Sequence, residues 1–331
     1  MSNEVLAKTD APRQRRRWLL SVNPIYLVLV VLLALIAIRN PQFLEPFGYM
    51  NFLKRAAPLA ILSAGQLFVL VAGGFDLSVG ALITLTVIGA SMLQSNDPSA
   101  TWWVICLLFV LGALVGLING LVVVVLRVPS LIATLGMMIT LTGVALLWSG
   151  GAPKGYLTDN FRFFGRYNFT GVPLINLLPI SIIVLVLVVG LLWWLMHRTN
   201  YGRLLFAVGD NPRASQLAGV PIGRVRVLAF VVSALSGTVA GILLGGFSGV
   251  SPDAGNGYEL QAITAAVLGG AQLLGGRGSV PATVAGAATL TAIFTLLNFL
   301  GLPNPVRSAV QGLILIGAVA LAMYRRKRTG R

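Results

Sequence analysis

The sequence predicts an all-α membrane protein that crosses the bilayer about ten times. Hydrophobic residues make up 56% of its 331 residues and charged residues only 10%, whereas a soluble domain typically has about 25% charged residues. Apolar runs long enough to cross a hydrocarbon core of about 30 Å recur along the chain. These runs are continuous, which excludes a membrane β-barrel, whose strands alternate over about ten residues.

Polar or glycine-rich connectors divide the apolar runs into spans. Residues 58–93 are too many for one crossing, and we divide them at residues 73–80, where glycines and Asp76 interrupt the run. Residues 259–274 form a short apolar stretch that can be re-entrant rather than spanning. We expect connectors at residues 39–57 and 150–173. The other expected spans are 24–38, 102–126, 131–148, 174–196, 227–247, 280–300 and 306–324.

The charge distribution predicts one transmembrane domain, residues 18–324, between two polar tails, residues 1–17 and 325–331. Ten crossings put both tails on one side, and 17 of the 24 Lys and Arg residues then fall on that side. By the positive-inside rule this is the cytoplasmic side, and it includes the loop at residues 197–226. The net charge of +15 therefore reflects topology rather than nucleic-acid binding. No small-residue cleavage site follows the basic N-terminus, so we expect a retained tail rather than a signal peptide.

The loop at residues 197–226 is a long polar interruption that contains signals for a short helix. Asn211 can cap a helix start and Pro212 suits the first helical position. Gly219 can take a positive φ after the helix end, and Pro221 prevents continuation. The predicted helix, residues 212–218, would be roughly 10 Å long. Such a helix is marginal alone in water, which indicates an element that docks onto something else.

Few residues have reactive or metal-ligating side chains, and the sequence predicts no catalytic, metal or cofactor site in this chain. Asp76 is the only acidic residue inside the long apolar runs. It either caps the next span from an interfacial turn, which we favour, or serves as a proton- or solute-coupling carboxylate. His197, the sole histidine, lies at a predicted membrane exit, and Cys106, the sole cysteine, allows no disulfide. The chain contains no G-x4-G-K-[ST] motif, so we expect no nucleotide hydrolysis.

A faint internal similarity links the fourth and ninth predicted spans. In both, a glycine and an asparagine near the span end precede a proline-containing turn. An offset of five spans makes the two copies antiparallel, so one interpretation is a five-plus-five inverted repeat. Chance similarity is the other interpretation. The residues concerned are Gly112, Gly116, Asn119 and Pro129 in the first copy and Asn298, Gly301, Pro303 and Pro305 in the second.

Four blocks of the sequence resemble one known family. LVAGGFDLSVGALITL, residues 70–85, resembles the GGIDLSVG signature of the bacterial ABC-type permeases for ribose, xylose, arabinose, galactose and related solutes. The blocks at residues 128–151, 207–220 and 257–280 are similar to three further blocks of that family, in the same order. They read VPSLIATLGMMITLTGVALLWSGG, AVGDNPRASQLAGV and GYELQAITAAVLGGAQLLGGRGSV.

The resemblance implies a transmembrane subunit of an ATP-driven importer. Such a subunit works with a second permease subunit, identical or different, with cytoplasmic ATPases that bind ATP and Mg, and with a periplasmic sugar-binding protein. The resemblance implies an ATPase-coupling role for the residues of the 197–226 loop, namely Gly209, Asn211, Pro212, Ala214 and Gly219. It implies a role in the membrane motif or translocation for Gly73, Gly74, Asp76, Leu77, Ser78, Gly80, Gly257, Glu259, Gly269 and Gly270.

The sequence departs from the family pattern at four positions. Asp210 and Ser215 stand where the family often has Gly and Ala, Phe75 stands where Ile is common, and Gln261 replaces an Asp. The role of that acid is therefore in doubt. An ATP-independent secondary transporter that uses Asp76 as its proton site remains the alternative function, and a membrane enzyme lacks any catalytic constellation. The residues do not identify the solute.

Overall fold

The computed structural model describes residues 23–95, 97–171 and 177–303, together with isolated helical residues between 305 and 320. The predicted tails, residues 1–17 and 325–331, and much of the predicted span 306–324 lie outside the described residues. Within the described residues, six helices are long and apolar enough to cross a membrane, and two further apolar helices are shorter.

The described chain consists of α-helices, two short 3₁₀ turns and one small antiparallel sheet. In the sheet, Phe169 lies opposite Leu178. The 3₁₀ turns are Pro41–Leu44 and Pro98–Ala100. The first helices are α1 (Pro24–Arg39), α2 (Pro46–Val71), α3 (Ser78–Gln94), α4 (Thr101–Val124), α5 (Ser130–Ser149) and α6 (Asp159–Arg166). After β1 (Asn168–Thr170) and β2 (Leu177–Pro179) come α7 (Ile180–Arg198), α8 (Asn200–Asp210), α9 (Pro212–Leu217), α10 (Ile222–Ser248), α11 (Tyr258–Leu268) and α12 (Val280–Phe299).

Helix α2 forms the centre of the bundle. In its most apolar stretch 94% of the residues are buried, compared with 17% in α5 and in α7, which therefore lie at the periphery. Helix α10 packs along both α2 and α4. Glycines permit this close packing, because a Cβ on Gly116 of α4 would lie 2.7 Å from the carbonyl oxygen of Phe230 in α10. Small residues at such positions let membrane helices approach closely.

The helix ends define two faces of the bundle. The α8–α9 face contains the end of α2, the α8–α9 segment and the turn at residues 269–279. The start of α1 also lies here, because Asn23 Nδ2 donates a hydrogen bond to Gly269 O at 2.6 Å. On the α6 face, Lys54 Nζ donates to Arg166 O at 3.2 Å, and Gly165 packs against the backbone of Gly246 at the end of α10.

The prediction of a connector over residues 39–57 is wrong beyond residue 45, because α2 already begins at Pro46 and passes through Pro58. Lys54 interrupts the apolar pattern, yet its side chain is buried, bonded to Arg166 O and placed over the Phe247 ring at 5.6 Å. In the sequence the Lys54 charge suggests a connector, but contacts with Arg166 and Phe247 stabilise it inside the bundle.

Two further segments also contain more regular structure than the sequence predicts. The connector at 150–173 includes α6 and β1, and the predicted span 174–196 becomes helical only at Ile180 because Leu177–Pro179 belongs to β2. The loop at 197–226 is almost entirely helical. It holds α8 and α9, and its first and last residues belong to α7 and α10.

Candidate functional site

The chain is non-helical between α2 and α3, and we call residues 73–77 the break. Gly73 has a φ of +80°, which favours glycine. Hydroxyl groups of α5 then bond the freed backbone: Phe75 N donates to Ser130 Oγ at 3.0 Å and Leu77 N to Thr134 Oγ1 at 3.1 Å. Unwound backbone in a packed apolar bundle needs such internal partners, because its surroundings supply no others.

Asp76 bonds the first residue of α3, as the favoured interpretation expects of a capping side chain, although the N-cap position itself is Leu77. Its Oδ1 accepts hydrogen bonds from the Ser78 backbone N–H at 3.0 Å and from Ser78 Oγ at 2.6 Å. Asn119 Nδ2 of α4 donates to the same Ser78 hydroxyl at 2.9 Å. Asp76 is completely buried among the helices of the bundle, and its depth in the membrane stays a prediction.

Two buried polar atoms lack a partner in the part of the chain that the structure describes. They are Asp76 Oδ2 in the break and Nε2 of Gln66 in α2. The Gln66 Oε1 atom accepts a hydrogen bond from Ser233 Oγ of α10 at 3.1 Å. Unpaired polar atoms in an apolar interior are costly and uncommon, so the interior near the break is polar and not fully satisfied.

Gly80 and Glu259, from two sequence blocks far apart in the chain, are in direct contact. A Cβ on Gly80 would collide with Glu259 Oε2 and would lie 2.8 Å from Gly255 O. The neighbouring Gly255 N donates to Thr84 Oγ1 of α3 at 2.9 Å. The connector between α10 and α11 therefore enters the bundle beside the first turns of α3, which agrees with a re-entrant stretch.

The remaining predicted membrane residues lie at the two ends of α11. Gly257, with a φ of +81°, forms the N-cap of this helix. At the other end a Cβ on Gly269 would lie 2.5 Å from Ala282 O of α12, and Gly270 has a φ of +92°. Both ends of α11 thus depend on glycine, for backbone conformation or for close approach.

The short helix predicted at residues 212–218 is confirmed as α9, Pro212–Leu217. Asn211 Oδ1 accepts a hydrogen bond from Ala214 N at 3.0 Å, and Gly219 follows with a φ of +77°. Asn211, Pro212, Ala214 and Gly219 are all exposed. Ser215 alone in this helix is buried, and Leu217, which the sequence does not single out, is 87% exposed.

Gly209 joins α8 to the end of α2, and we call this contact the glycine junction. A Cβ on Gly209 would collide with Val71 O and would lie 2.5 Å from Gly276 N. Gly276 N itself donates to Val71 O at 2.9 Å. A Cβ on Gly275 would lie 3.1 Å from Gly73 Cα. The α8–α9 segment thus touches the residues that lead into the break, and the GGRG run at 275–278 is the sequence signal for it.

Tyr201 provides a second link between α8 and the bundle. Its ring stacks on Phe68 of α2, with ring centroids 6.3 Å apart, and its hydroxyl donates to Val225 O of α10 at 3.2 Å. Burial raises the pKa of the Tyr201 hydroxyl, so the group remains a protonated donor at neutral pH. Helix α8 is therefore held to both central helices.

The described chain is an apolar helical bundle with a break after its central helix, and an exposed, capped helix lies close to that break. These features are typical of a multi-pass membrane transport protein. Residues 48–319 match the family described as "Branched-chain amino acid transport system / permease component". The chain belongs to this family of bacterial ABC-type import permeases, multi-pass proteins of the inner membrane.

Three relatives are similar over most of their length. The ribose import permease protein RbsC of Bacillus subtilis is 35% identical over 305 residues, which cover 89% of this chain and 91% of the relative. The galactose/methyl galactoside import permease protein MglC of Haemophilus influenzae is 33% identical, and the match covers 92% of this chain and 94% of the relative. The autoinducer 2 import system permease protein LsrC of Klebsiella pneumoniae is 35% identical, with coverages of 89% and 84%. No solved structure matches the chain.

Proposed function

We propose that this chain is the membrane subunit of an ATP-driven importer for a sugar or a related small polar solute. The ribose and galactose permeases among its relatives support the solute class. Its partners would be a cytoplasmic ATPase that binds ATP and Mg, a periplasmic binding protein and a second permease subunit. The full chain would have ten crossings with both termini in the cytoplasm. Its two five-span halves would form an inverted repeat.

The exposed helix α9 is the observation that carries this proposal. It is capped, lies on the surface, and presents the apolar Leu217 side chain, 87% exposed, beside Ala214. An apolar side chain on a short polar segment is suited to a pocket on a partner protein. In the proposed complex, α9 and its neighbours are the ATPase-coupling element.

The glycine junction supplies the path from this element into the membrane. ATPase closure would move α9 and α8 together, and Gly209 would press on the last turn of α2 at Val71 O. The break follows directly, and hydroxyl groups of α5 hold its backbone. Movement would then shift the population between inward- and outward-facing arrangements of the helices.

The opposite, α6 face is the surface left for the proposed periplasmic partner. Its described part exposes charges of both signs, namely Arg55, Lys154, Arg166, Glu45, Asp97 and Asp159. Such a surface favours a partner with the complementary charge pattern, since complementary charge raises the association rate. We propose that the periplasmic binding protein docks here.

Removing the Leu217 side chain tests the proposal. Fully burying a leucine contributes about 1.5–3 kcal/mol, so Leu217→Ala should weaken ATPase binding by roughly ten- to a hundredfold. Binding is measured by titrating the purified permease with its genomic-neighbour ATPase. Leu44→Ala, at a similarly exposed leucine on the α6 face, is the matched control. Equal affinity of the Leu217→Ala variant and the wild type would contradict the coupling role.

A secondary transporter is the second candidate, and the unmatched Asp76 Oδ2 favours it. A buried carboxylate oxygen without a partner is a suitable proton acceptor. This candidate requires solute uptake by the purified chain alone in liposomes under a proton gradient without ATP. The importer proposal requires no uptake under those conditions and uptake once ATPase, binding protein and ATP are present.

A further inference from the structure

A cavity of about 670 Å³ lies on the α8–α9 face between α4, α5, α10 and the break. Its size is within the usual range for small-ligand sites, about 300–1,000 Å³. The wall combines apolar side chains with Gly73 and Gly74 of the break, Gln216 of α9, and two arginines, Arg127 and Arg226. None of the other described residues that line this cavity carries a charge.

The two arginines make the cavity strongly positive. Arg226 is half-buried in the first turns of α10, and Arg127 lies in the α4–α5 turn with a φ of +57°. In the part of the chain that the structure describes, neither guanidinium forms an ion pair with a carboxylate. Arg127 is exposed, but a half-buried charge such as Arg226 is unfavourable without a partner, so an anion bound beside Arg226 would be stabilised.

The surrounding backbone adds to the positive potential. Helices α5 and α10 both begin at this cavity, after Pro129 and Pro221, and neither has a side-chain N-cap. Their N-terminal dipoles favour negative charge. Gln216 and the Ser130 hydroxyl supply further polar groups, and arginine is well suited to bidentate contacts with phosphate oxygens.

We propose that this cavity binds a phosphate group, and the structure favours the headgroup of an anionic lipid as its source. The entrance is bordered by exposed apolar side chains of the α4–α5 turn, where Leu126 is 67% and Leu131 51% exposed, as acyl chains require. Basic cavities between membrane helices on the cytoplasmic side are known sites for lipid phosphates. The lipid source rests on the proposed cytoplasmic orientation of this face, but phosphate binding does not.

The bound phosphate would also lie between the two parts of the transport machinery. One wall of the cavity belongs to the break and another to α9. Occupancy would therefore hold the α9 segment and the break in one arrangement, so that anionic lipid would regulate coupling between ATPase and membrane helices.

The test titrates the detergent-purified full chain with phosphatidylglycerol, with phosphatidylcholine and with inorganic phosphate, and follows binding by native mass spectrometry. Arg127→Gln and Arg226→Gln should each weaken phosphatidylglycerol binding by roughly tenfold, and the double variant by about a hundredfold, since each removes a charge-assisted hydrogen bond to the phosphate. Arg224→Gln, at an exposed arginine that does not line the cavity, is the control and should bind within about fivefold of wild type, since it changes only the general attraction of the surface for anionic lipid.

The outcomes separate the sources of the phosphate. Selective phosphatidylglycerol binding without competition by inorganic phosphate supports the lipid headgroup, whereas competition by millimolar phosphate supports a soluble phosphorylated ligand. Equal losses for Arg224→Gln and Arg226→Gln would overturn the site, and phosphatidylcholine binding as tight as that of phosphatidylglycerol would overturn the preference for an anionic headgroup. No transport is measured, so failure of the importer proposal leaves these results unaffected.

Discussion

At the scale of single residues, the contact between α8 and α2 depends on the missing side chain of Gly209. The Val71 carbonyl oxygen occupies the space in which a Cβ would lie. Gly209→Ala must therefore push α8 away from α2, and overpacking of this kind costs about 1–3 kcal/mol. We expect ATP hydrolysis by the reconstituted complex to continue while solute uptake falls at least tenfold.

A glycine with free space around it provides the control. Gly190 is an exposed helical glycine of α7, and among the described residues beyond its own stretch of helix a Cβ on it would meet no atom within 4 Å. Gly190→Ala should leave both ATP hydrolysis and uptake close to wild type. If Gly209→Ala behaves in the same way, the glycine junction does not transmit movement.

Two substitutions of Asp76 can distinguish the role of its negative charge from the role of its hydrogen bonds to Ser78. Asp76→Asn keeps an oxygen that can accept from Ser78, whereas Asp76→Ala leaves the buried Ser78 groups unpaired and should cost about 1–3 kcal/mol. For an ATP-driven importer, Asp76→Asn should retain uptake within about twofold, and Asp76→Ala should lower the thermal unfolding midpoint. Loss of uptake in a normally stable Asp76→Asn variant would instead assign the charge a role in transport.

At the scale of elements, the cap of α9 should control how well the docking helix is formed. Asn211→Ala removes the acceptor for Ala214 N, and loss of such a cap costs about 1 kcal/mol. Hydrogen exchange of the amides of residues 213–217 should then be about fivefold faster. Asn211→Asp, which keeps the acceptor, should restore slow exchange. Unchanged exchange in Asn211→Ala would mean that packing through Ser215, rather than the cap, forms this helix.

The sequence predicts well those helices whose start and end are determined by residues close to them in the chain. Helix α9 is encoded by a cap, a first-turn proline and a terminal glycine within nine residues, and its predicted end is within one residue of the observed one. The start of α2 escapes prediction because Lys54 is stabilised by Arg166 and Phe247, which lie more than a hundred residues away. Local pattern cannot reveal such partners, so helix boundaries at charged residues are the least predictable.

At the scale of the whole molecule, the three motif blocks at residues 70–85, 207–220 and 257–280 form a connected set. Gly209 meets Val71 before the break, and Gly80 meets Glu259 after it. The sequence indicates that these blocks belong to the site, but it contains no information on their contacts, because packing between distant helices leaves no periodicity in either one. Only tertiary structure shows how the α8–α9 segment reaches the break.

The orientation of the whole bundle can be tested through two exposed leucines on opposite faces. Five apolar helices, α2, α3, α4, α5 and α7, separate Leu44 from Leu217, and the intervening helices α6 and α8 are too short to cross a bilayer. Because five is odd, the two residues must lie on opposite sides of the membrane if each helix crosses once. Both side chains are well exposed, at 69% and 87%. Cys106, the only cysteine, can be replaced by serine to provide a background without thiols.

In that Cys106→Ser background, a membrane-impermeant maleimide should label the Leu44→Cys variant only in right-side-out vesicles. The same reagent should label the Leu217→Cys variant only in inside-out vesicles, because the excess of basic residues assigns its face to the cytoplasm. Labelling of both variants from one side would contradict five single crossings. Labelling with the two sides exchanged would keep the fold and reverse the orientation, which would leave α9 unable to meet a cytoplasmic ATPase.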